Sequence, residues 1–410
     1  MTKIKPFRAF RPTRDKAHLV ISKQYYAYKK SILKAKLESN PFTFIHVITP
    51  DYFMKNKPAP GSRERYEMIR KEFERFLSEG ILFKEEEPSF YIYRQTKNGH
   101  AYMGLIAGAS VEDYDEGHIK KHEATLTSRE NMFADYLEIT GFNAEPVLIS
   151  YPKDEIVEDI LNLVTLSRPE YEFTTTDIIT HELWIIPHQY EATLIEHFDR
   201  IKDTYIADGH HRCSSSSILA QRKKGKKDLP SQHFLALFMN EERLKIYDFN
   251  RLILDFNGHT KKEIKDLLSE KFTLKKSEEE LVKPTKEHQF TMYLGNKWYI
   301  LEPKPGSFDQ QDVVDCLDAE ILTKNVLNPI FGIHDLKTDE RIQFISGDKG
   351  MKGIKKAIDK GDAKIGFALY PVTIDHVKQV ADENRIMPPK STWIEPKLRS
   401  GLTIYDLEND

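Results

Sequence analysis

The sequence is poor in cysteine, with only Cys213 and Cys316 among its 410 residues. Two thiols cannot build a disulfide framework, so we expect a fold without disulfide bonds in a reducing compartment. No stretch approaches the ~18 consecutive apolar residues that a membrane helix needs. Residues 1–6 also lack the apolar core of a signal peptide. These absences predict a cytoplasmic protein.

An excess of charge of one sign is missing as well. Lys and Arg number 61 and Asp and Glu number 64, which makes the net charge −3. Because general nucleic-acid and membrane-surface binders carry a basic excess, we expect a small-molecule partner, no nucleic acid and no membrane, and the composition is compatible with a homo-oligomer. The basic run formed by Lys223, Lys224, Lys226 and Lys227 is interpreted as a solvated linker, since acidic runs offset it.

Several common motifs are also absent. The chain has neither a Gly-x-x-x-x-Gly-Lys-Ser/Thr loop nor a Gly-x-Gly-x-x-Gly fingerprint, so its motifs do not predict a common nucleotide-binding fold. His181 and Glu182 lack the second histidine of a zinc-protease helix, and a Cys/His zinc site would need more thiolates than the chain has.

The apolar pattern mixes helices and strands throughout. It predicts helices over 63–79, 152–164, 190–200 and 312–327, a buried strand over 234–239, and two hairpins. The hairpin turns are placed at Asn98-Gly99 and at Asn296-Lys297. We therefore predict an α+β fold with mixed sheets in two or three intertwined subdomains. The charged stretch 275–286 suggests a main domain over 1–274 and a C-terminal portion over 275–410.

The sharpest chemical signal is Asp208-Gly209-His210-His211-Arg212, which follows three residues that read as a strand end. A helix opening at a serine cap, Ser214, is predicted after the turn. A strand–turn–helix aims backbone N–H groups and the positive helix end at one point, which favours a phosphate. The guanidinium suits phosphate or carboxylate oxygens, and the carboxylate could bind a divalent cation or accept a proton from an alcohol. The alternative is a turn whose polar residues cap the helix and face water.

Two further segments carry chemical groups. In the first, Lys121, His122 and Glu123 precede a predicted helix, where the glutamate could act as a base or magnesium ligand and the lysine could contact phosphate; the competing interpretation is a charged, solvated helix start. In the second, prolines around Lys390 stiffen residues 387–401 and could direct this lysine toward a site, or the segment could be a packed strap.

The N-terminal Arg11 could reach an anionic ligand, although an arginine near a terminus is more often solvated. Cys213 follows the sharp turn directly and is interpreted as a small buried thiol.

Together, Ala-Asp-Gly-His-His-Arg at 207–212, Lys-His-Glu-x-Thr at 121–125 and Met-Pro-Pro-Lys-Ser-Thr at 387–392 resemble the family called domain of unknown function 1015. The similarity runs over nearly the whole chain. Some members of that family resemble ATP-dependent kinases of free L-serine, which make O-phosphoserine for cysteine synthesis. The turn is also similar to those of ParB and sulfiredoxin-like nucleotide binders, which implies a nucleotide-binding core. The chain departs from the pattern in having Cys213 and four serines where an aromatic is expected after the arginine.

The resemblance implies an enzyme that transfers phosphate from ATP, or ADP, to a hydroxyl amino acid, most plainly L-serine, with Mg²⁺. Glu123 or Asp208 would be the base, and the other would help to hold Mg²⁺, with His210 also in the catalytic set. The implied nucleotide-binding residues are Lys121, His122, Gly209, His211, Arg212, Ser214 and Lys390. Two alternatives stay open: a ParB-like nucleotide sensor without turnover, and a hydrolase that uses the histidines and a metal-bound water.

Overall fold

A computed structural model describes residues 1–223 and 229–409 of the chain. Lys224, Lys226 and Lys227 of the predicted linker lie outside the described residues. The described ranges form an α+β structure. Its helices are α1 Ala17–Val20, α2 Lys30–Ser39, α3 Ile45–Ile48, α4 Arg63–Ser78, α5 Val111–Asp115, α6 Thr127–Thr140, α7 Glu155–Val164, α8 Glu191–Arg200, α9 His210–Arg222, α10 Lys261–Lys271, α11 Asp318–Leu322, α12 Gly350–Asp359 and α13 Ile374–Asp382.

The strands form two large sheets and several short pairs. They are β1 Ile4–Lys5, β2 Phe10–Pro12, β3 Leu82–Lys84, β4 Tyr91–Lys97, β5 His100–Ser110, β6 Ile119–Lys120, β7 Phe142–Asn143, β8 Val147–Tyr151, β9 Tyr171–Thr174, β10 Thr180–Ile185, β11 Thr204–Asp208, β12 His233–Asn240, β13 Lys245–Tyr247, β14 Phe249–Ile253, β15 Phe272–Ser277, β16 Phe290–Leu294, β17 Lys297–Pro303, β18 Ile342–Ser346, β19 Ile365–Ala368, β20 Trp393–Glu395 and β21 Tyr405–Asp406.

The chain divides into two compact units. The first contains residues up to Lys121, Thr125–Leu244 and the segment that starts at Pro396, and the second contains His122–Ala124 and Lys245–Glu395. The chain therefore leaves and re-enters each unit. The predicted boundary after residue 274 falls inside β15, which pairs along its whole length with β17.

The first unit is built on a nine-stranded mixed sheet in the order β6-β11-β8-β12-β5-β4-β10-β9, with β1 beside β5. Strand β12 lies at its centre and carries the continuous apolar run that predicted a strand buried on both faces, a prediction that the structure confirms. The run contributes to the main core of this unit together with side chains of β5, β8 and α7. Of the two strands that flank β12, β8 runs parallel to it and β5 runs antiparallel to it.

The second unit is built on a six-stranded antiparallel sheet in the order β15-β17-β16-β19-β14-β18. Its apolar side chains form two clusters, one with α10, α11 and the segment after α11, and one with α12. Within the described residues, no helix of the chain is long and apolar enough to cross a membrane.

The elements with the clearest pattern match their predictions. Helix α4 buries the predicted stripe, and Ser62 caps it by accepting a hydrogen bond from the Arg65 backbone N–H. Strands β4 and β5 pair through Lys97 and His100 around a two-residue turn at Asn98-Gly99. Both turn residues have positive φ, as the favoured hairpin turn requires.

Two of the predicted elements need correction. The second hairpin turns at Gly295-Asn296, one residue earlier than predicted, because these two adopt positive φ and Leu294 pairs with Lys297. The helix predicted from residue 312 begins only at Asp318. Asp312 instead accepts hydrogen bonds from the next backbone N–H groups, which makes a turn.

Arg11 was expected to be solvated, but its residue is only 2% exposed. Its guanidinium pairs with Glu85 at 2.6 Å and packs against the rings of Phe83 and Tyr171. The carboxylate pairs with the charge of this arginine and the rings pack against it, so Arg11 has a structural role inside the first unit.

Candidate functional site

The sharpest motif of the sequence forms a strand–glycine–helix turn in the first unit. Strand β11 ends at Asp208, and α9 begins at His210 with Gly209 as its N-cap at φ +108°. A side chain is strained at such a φ, so glycine allows the abrupt change from strand to helix. The Gly209 carbonyl accepts hydrogen bonds from the N–H groups of Arg212 (2.8 Å) and Cys213 (3.1 Å).

The predicted serine cap is therefore wrong, because the helix begins four residues before Ser214. The Ser214 hydroxyl lies in the first turns of α9 and donates to the His211 carbonyl at 3.2 Å. Cys213, which stands where an aromatic was expected, is fully buried, and burial raises the pKa of its thiol. The prediction of a small, buried or half-buried thiol is confirmed.

The order of the strands brings distant segments to this turn. Strand β6 runs parallel to β11, so the carboxyl ends of both strands point to one edge of the sheet, and Lys121 directly follows β6. Strand β8 runs antiparallel to β11 with Leu148 opposite Asp208, so the residues just before β8 lie at the same edge. Those residues are Glu145 and Pro146. The sheet edge thus collects a lysine, a glutamate and the predicted turn.

Arg212 occupies the centre of this edge. Its guanidinium donates to the Pro146 carbonyl, lies 3.4 Å from Asp208 Oδ2 and 3.6 Å from Glu145 Oε2. Burial lowers the pKa of Arg212, but the two carboxylates outweigh burial, so the pKa is raised and the charge is permanent. A Cβ on Gly209 would lie 3.0 Å from Nε of this guanidinium, which shows how closely the backbone and the side chain approach.

A second cation reaches Asp208 from the C-terminal segment. Lys397 Nζ lies 3.8 Å from Asp208 Oδ1. The Lys397 and Asp208 side chains are 41% and 34% exposed, so solutes can reach both. Ser400, three residues further on, donates its hydroxyl to Glu145 Oε1 at 3.0 Å.

Sequence reasoning missed Glu145 and Lys397 as site residues. Lys397 belongs to the proline-stiffened segment that was singled out, but only Lys390 was chosen there. Glu145 had no motif, and its position before Pro146 and an apolar strand was its only signal. Tyr26 was also missed: although the residue is 70% exposed, partial desolvation of its hydroxyl and the charge of Glu145 raise the pKa of that hydroxyl to about 12.

His210 is a buried histidine of this turn. Burial lowers the pKa of its imidazole to about 3, and the positive charges of Arg212 and Lys121 act in the same direction. At neutral pH the ring is therefore uncharged, and it would meet a phosphate as an N–H donor rather than as a cation.

We expect the imidazole of His210 to stay neutral between pH 8 and pH 5. Because the pKa in the folded state lies below the unfolded value of about 6.5, stability is full above pH 6.5 and falls as the pH drops toward 3. NMR of ring-labelled protein, assigned with a His210→Gln variant, checks this, with the urea-unfolded chain as the titrating control. A midpoint above pH 6 for His210 would contradict it.

Gly209 supports a second prediction, on stability. Gly209→Ala should destabilise the fold by about 2–3 kcal/mol, from the left-handed φ plus disturbed hydrogen bonds of Arg212. The matched control is Gly117→Ala, at φ +82° with no atom near the added Cβ, which should cost only about 1–2 kcal/mol. Urea unfolding of the three proteins measures the difference. Equal losses of unfolding free energy in the two variants would show that the Arg212 side chain moves away from the added Cβ at no cost.

The remaining predicted residues belong to the second unit. The buried His122 accepts at its backbone carbonyl from the Met387 N–H at 2.9 Å, so the Lys-His-Glu and Met-Pro-Pro-Lys motifs meet there. Glu123 is exposed. The exposed Lys390 has φ +60°, and its Nζ lies 5.5 Å from the centre of the Phe249 ring. The predicted set is thus divided between the units.

Metal ligation was also predicted, for Asp208 and Glu123. Over residues 1–223 and 229–409, no group of three or more His, Cys, Asp or Glu side chains is arranged to hold a metal ion. The assignment of Mg²⁺ to Asp208 and Glu123 stays a prediction, since Mg²⁺ can take only one or two protein carboxylates and complete its shell with substrate phosphates and water.

Comparison with known proteins identifies a family. A family model described as "protein of unknown function (DUF1015)" matches residues 4–320. No curated protein matches the chain.

The solved structures that match are distant. A variant of a free serine kinase in complex with AMP has 13% identity and a TM-score of 0.39, covering 74% of this chain and 92% of that one. Another variant of that kinase, with ADP, has 12% identity, a TM-score of 0.38 and the same coverage. A C-terminally truncated SbnI from Staphylococcus aureus has 11% identity and a TM-score of 0.38, covering 73% and 87%. Similarity at this level does not transfer an activity to this chain.

Proposed function

The chain belongs to the DUF1015 family. We propose that it is an ATP-dependent phosphotransferase that acts on the hydroxyl group of a small molecule, and L-serine is the acceptor that we propose first. One observation carries the proposal. A strand–glycine–helix turn presents a carboxylate, Asp208, between two cations, Arg212 and Lys397, at an accessible edge of a sheet. The partner is a small molecule, with no role for nucleic acid or membrane.

The turn suits a phosphate for three reasons. Helix α9 begins at His210, and the backbone N–H groups and positive end of a helix start attract anions. The absence of a side chain on Gly209 allows a close approach of the ligand to the backbone. The guanidinium of Arg212 is fully charged and planar, which matches two phosphate oxygens.

Phosphoryl transfer asks the protein mainly for positioning and charge stabilisation. Asp208 can accept the hydroxyl proton of the acceptor or serve as the protein ligand of Mg²⁺. When bound, that ion neutralises charge on the phosphates. Arg212, Lys397 and Lys121 offset the charge of the transferred group, and His210 and His211 offer further N–H contacts.

Glu123 is the second carboxylate of the proposal and shares the roles of base and metal ligand with Asp208. Its assignment comes from the motif Lys-His-Glu-x-Thr and the family resemblance, as do those of His122 and Lys390. These three residues enter the same mutagenesis series as the residues of the turn.

Coupled ADP release by the purified protein tests the proposal. The assay supplies ATP and Mg²⁺ with and without L-serine, then a panel of amino acids and small alcohols, and mass spectrometry detects the phosphorylated product. Serine-dependent ADP with O-phosphoserine is the expected result. Saturable nucleotide binding without acceptor-dependent release would favour a nucleotide sensor, and phosphate release in water alone would favour a hydrolase.

A further inference from the structure

We infer that the C-terminal segment from Pro396 to Ser400 is part of the phosphate site and that Lys397 contacts the terminal phosphates of a nucleoside di- or triphosphate. This inference rests on the proposed function, since it assumes that the turn binds a nucleotide. The segment lies outside residues 4–320, which the family model matches.

The two cations flank a single carboxylate. Arg212 approaches Asp208 Oδ2 at 3.4 Å, and Lys397 approaches Oδ1 at 3.8 Å. Both distances exceed the ~2.7–2.9 Å of a tight charge-assisted hydrogen bond. An anion that enters beside Asp208 can therefore draw Arg212 and Lys397 toward itself without breaking a short hydrogen bond from either cation to this carboxylate.

The segment is held in place on both sides of Lys397. Gln95 Nε2 donates to the Lys397 carbonyl at 3.3 Å, and Arg399, only 7% exposed, donates to Asp177 Oδ2 at 2.6 Å. Ser400 also forms a backbone bridge with Ser22. Because the backbone is already ordered, presenting the lysine to a ligand costs little extra conformational entropy.

The same segment reaches the other cation. Ser400 donates to Glu145 Oε1, and the second oxygen of Glu145 lies 3.6 Å from the Arg212 guanidinium. Glu145 and Ser400 are thus positioning residues, which act on the ligand only through Arg212. One stretch of chain supplies the second cation and orients the first.

Two cations on opposite oxygens of one carboxylate suit a ligand with more than one phosphate group. A monophosphate can engage Arg212 at the helix start but leaves Lys397 with Asp208. A di- or triphosphate can engage both. The inference therefore predicts that Lys397 contributes to the affinity for ADP and ATP and little to that for AMP.

Calorimetric titration of ADP and of AMP, each with Mg²⁺, tests this. For Lys397→Met we expect ADP to bind at least about tenfold more weakly and AMP within about threefold of the wild type, whereas Lys397→Arg restores most of the ADP affinity. The matched control is Lys202→Met at the opposite end of β11, where Lys202 lies 3.8 Å from Asp203 and is 85% exposed. This control should bind both nucleotides as the wild type does.

The outcomes separate the two proposals. If the wild type binds ADP and Lys397→Met binds it equally well, the inference is wrong and the proposed function stands. If the wild type binds no nucleotide, both are wrong. An equal loss of ADP and AMP affinity would also overturn the inference. Thermal unfolding of each variant identifies a misfolded protein. If Lys397→Met is misfolded, the ADP affinity of Lys397→Arg tests the inference instead, since this variant keeps the charge.

The positioning role has its own readout. Ser400→Ala should weaken ADP binding severalfold while the salt dependence of binding keeps its slope, because no phosphate-contacting charge is lost. Lys397→Met should reduce that slope. Ser400→Thr, which keeps the hydroxyl, should restore the affinity. An ADP affinity unchanged in Ser400→Ala would contradict the positioning role, because it would show that Glu145 orients Arg212 without the Ser400 hydrogen bond.

Discussion

Asp208→Asn should reduce kcat for acceptor phosphorylation by at least about 100-fold, because a neutral amide can neither take the hydroxyl proton nor replace a carboxylate ligand of Mg²⁺. The substitution keeps the shape of the side chain at the end of β11. Arg212 retains its contacts to Pro146 and Glu145, so the turn should survive. Coupled ADP release with L-serine, or with whichever acceptor proves active, measures the effect.

Asp203→Asn is the matched control for this substitution. Asp203 directly precedes β11, at the opposite end from Asp208, and pairs with Lys120 at 3.2 Å, so it is a nearby aspartate with a comparable ion pair. Its replacement should leave kcat unchanged. Full activity in Asp208→Asn would remove this residue from the mechanism.

The same assay divides the two roles between the carboxylates. A variant that lacks the magnesium ligand should regain activity in part at high Mg²⁺, whereas a variant that lacks the base should not. Comparing Asp208→Asn with Glu123→Gln over a Mg²⁺ titration therefore assigns the roles. Full activity in both variants would overturn the proposed mechanism as a whole.

Arg212→Met should weaken ATP binding by about 100-fold, since it removes the one planar, permanently charged group at the centre of the site. Arg212→Lys should recover only part of the loss, because an ammonium group cannot form the two parallel hydrogen bonds of the guanidinium. Titration calorimetry with a non-hydrolysable ATP analogue measures both affinities.

Arg222→Met is the control on the same helix. Arg222 lies in the last turn of α9 and contacts two carboxylates, Asp135 at 2.7 Å and Glu138 at 2.9 Å, so its removal also leaves a pair of acids without their arginine. Nucleotide affinity should stay unchanged in this variant. Equal losses in Arg212→Met and Arg222→Met would mean that the effect comes from damage to the helix rather than from a lost phosphate contact.

Local patterns predicted a large part of this structure. The apolar stripe of α4, the Asn98-Gly99 turn and the apolar run of β12 were each recognised, because short-range periodicity and turn chemistry decide those elements. The strand–turn–helix around Gly209 was recognised for the same reason. Its helix start was misplaced by four residues, since a left-handed glycine can begin a helix where a serine cap was expected.

Local sequence patterns predicted only part of the candidate site. The motif itself predicted that Asp208, His210 and Arg212 lie together in one turn, since these residues are neighbours along the chain. Glu145 and Lys397 could not be identified in that way. Ser400 and Glu145 are separated by 255 positions, and they meet because β8 pairs with β11 and the C-terminal segment returns to the first unit.

The amino-acid sequence by itself therefore determined the α+β class, the family and the strand–turn–helix around Gly209, all of which follow from residue type and short spacing. The tertiary structure decided which carboxylate and which second cation join Arg212, and it divided the predicted residues between two units. The physical reason is that sheet order and register bring charges together across long stretches of chain, and these depend on packing of the whole core rather than on any local segment.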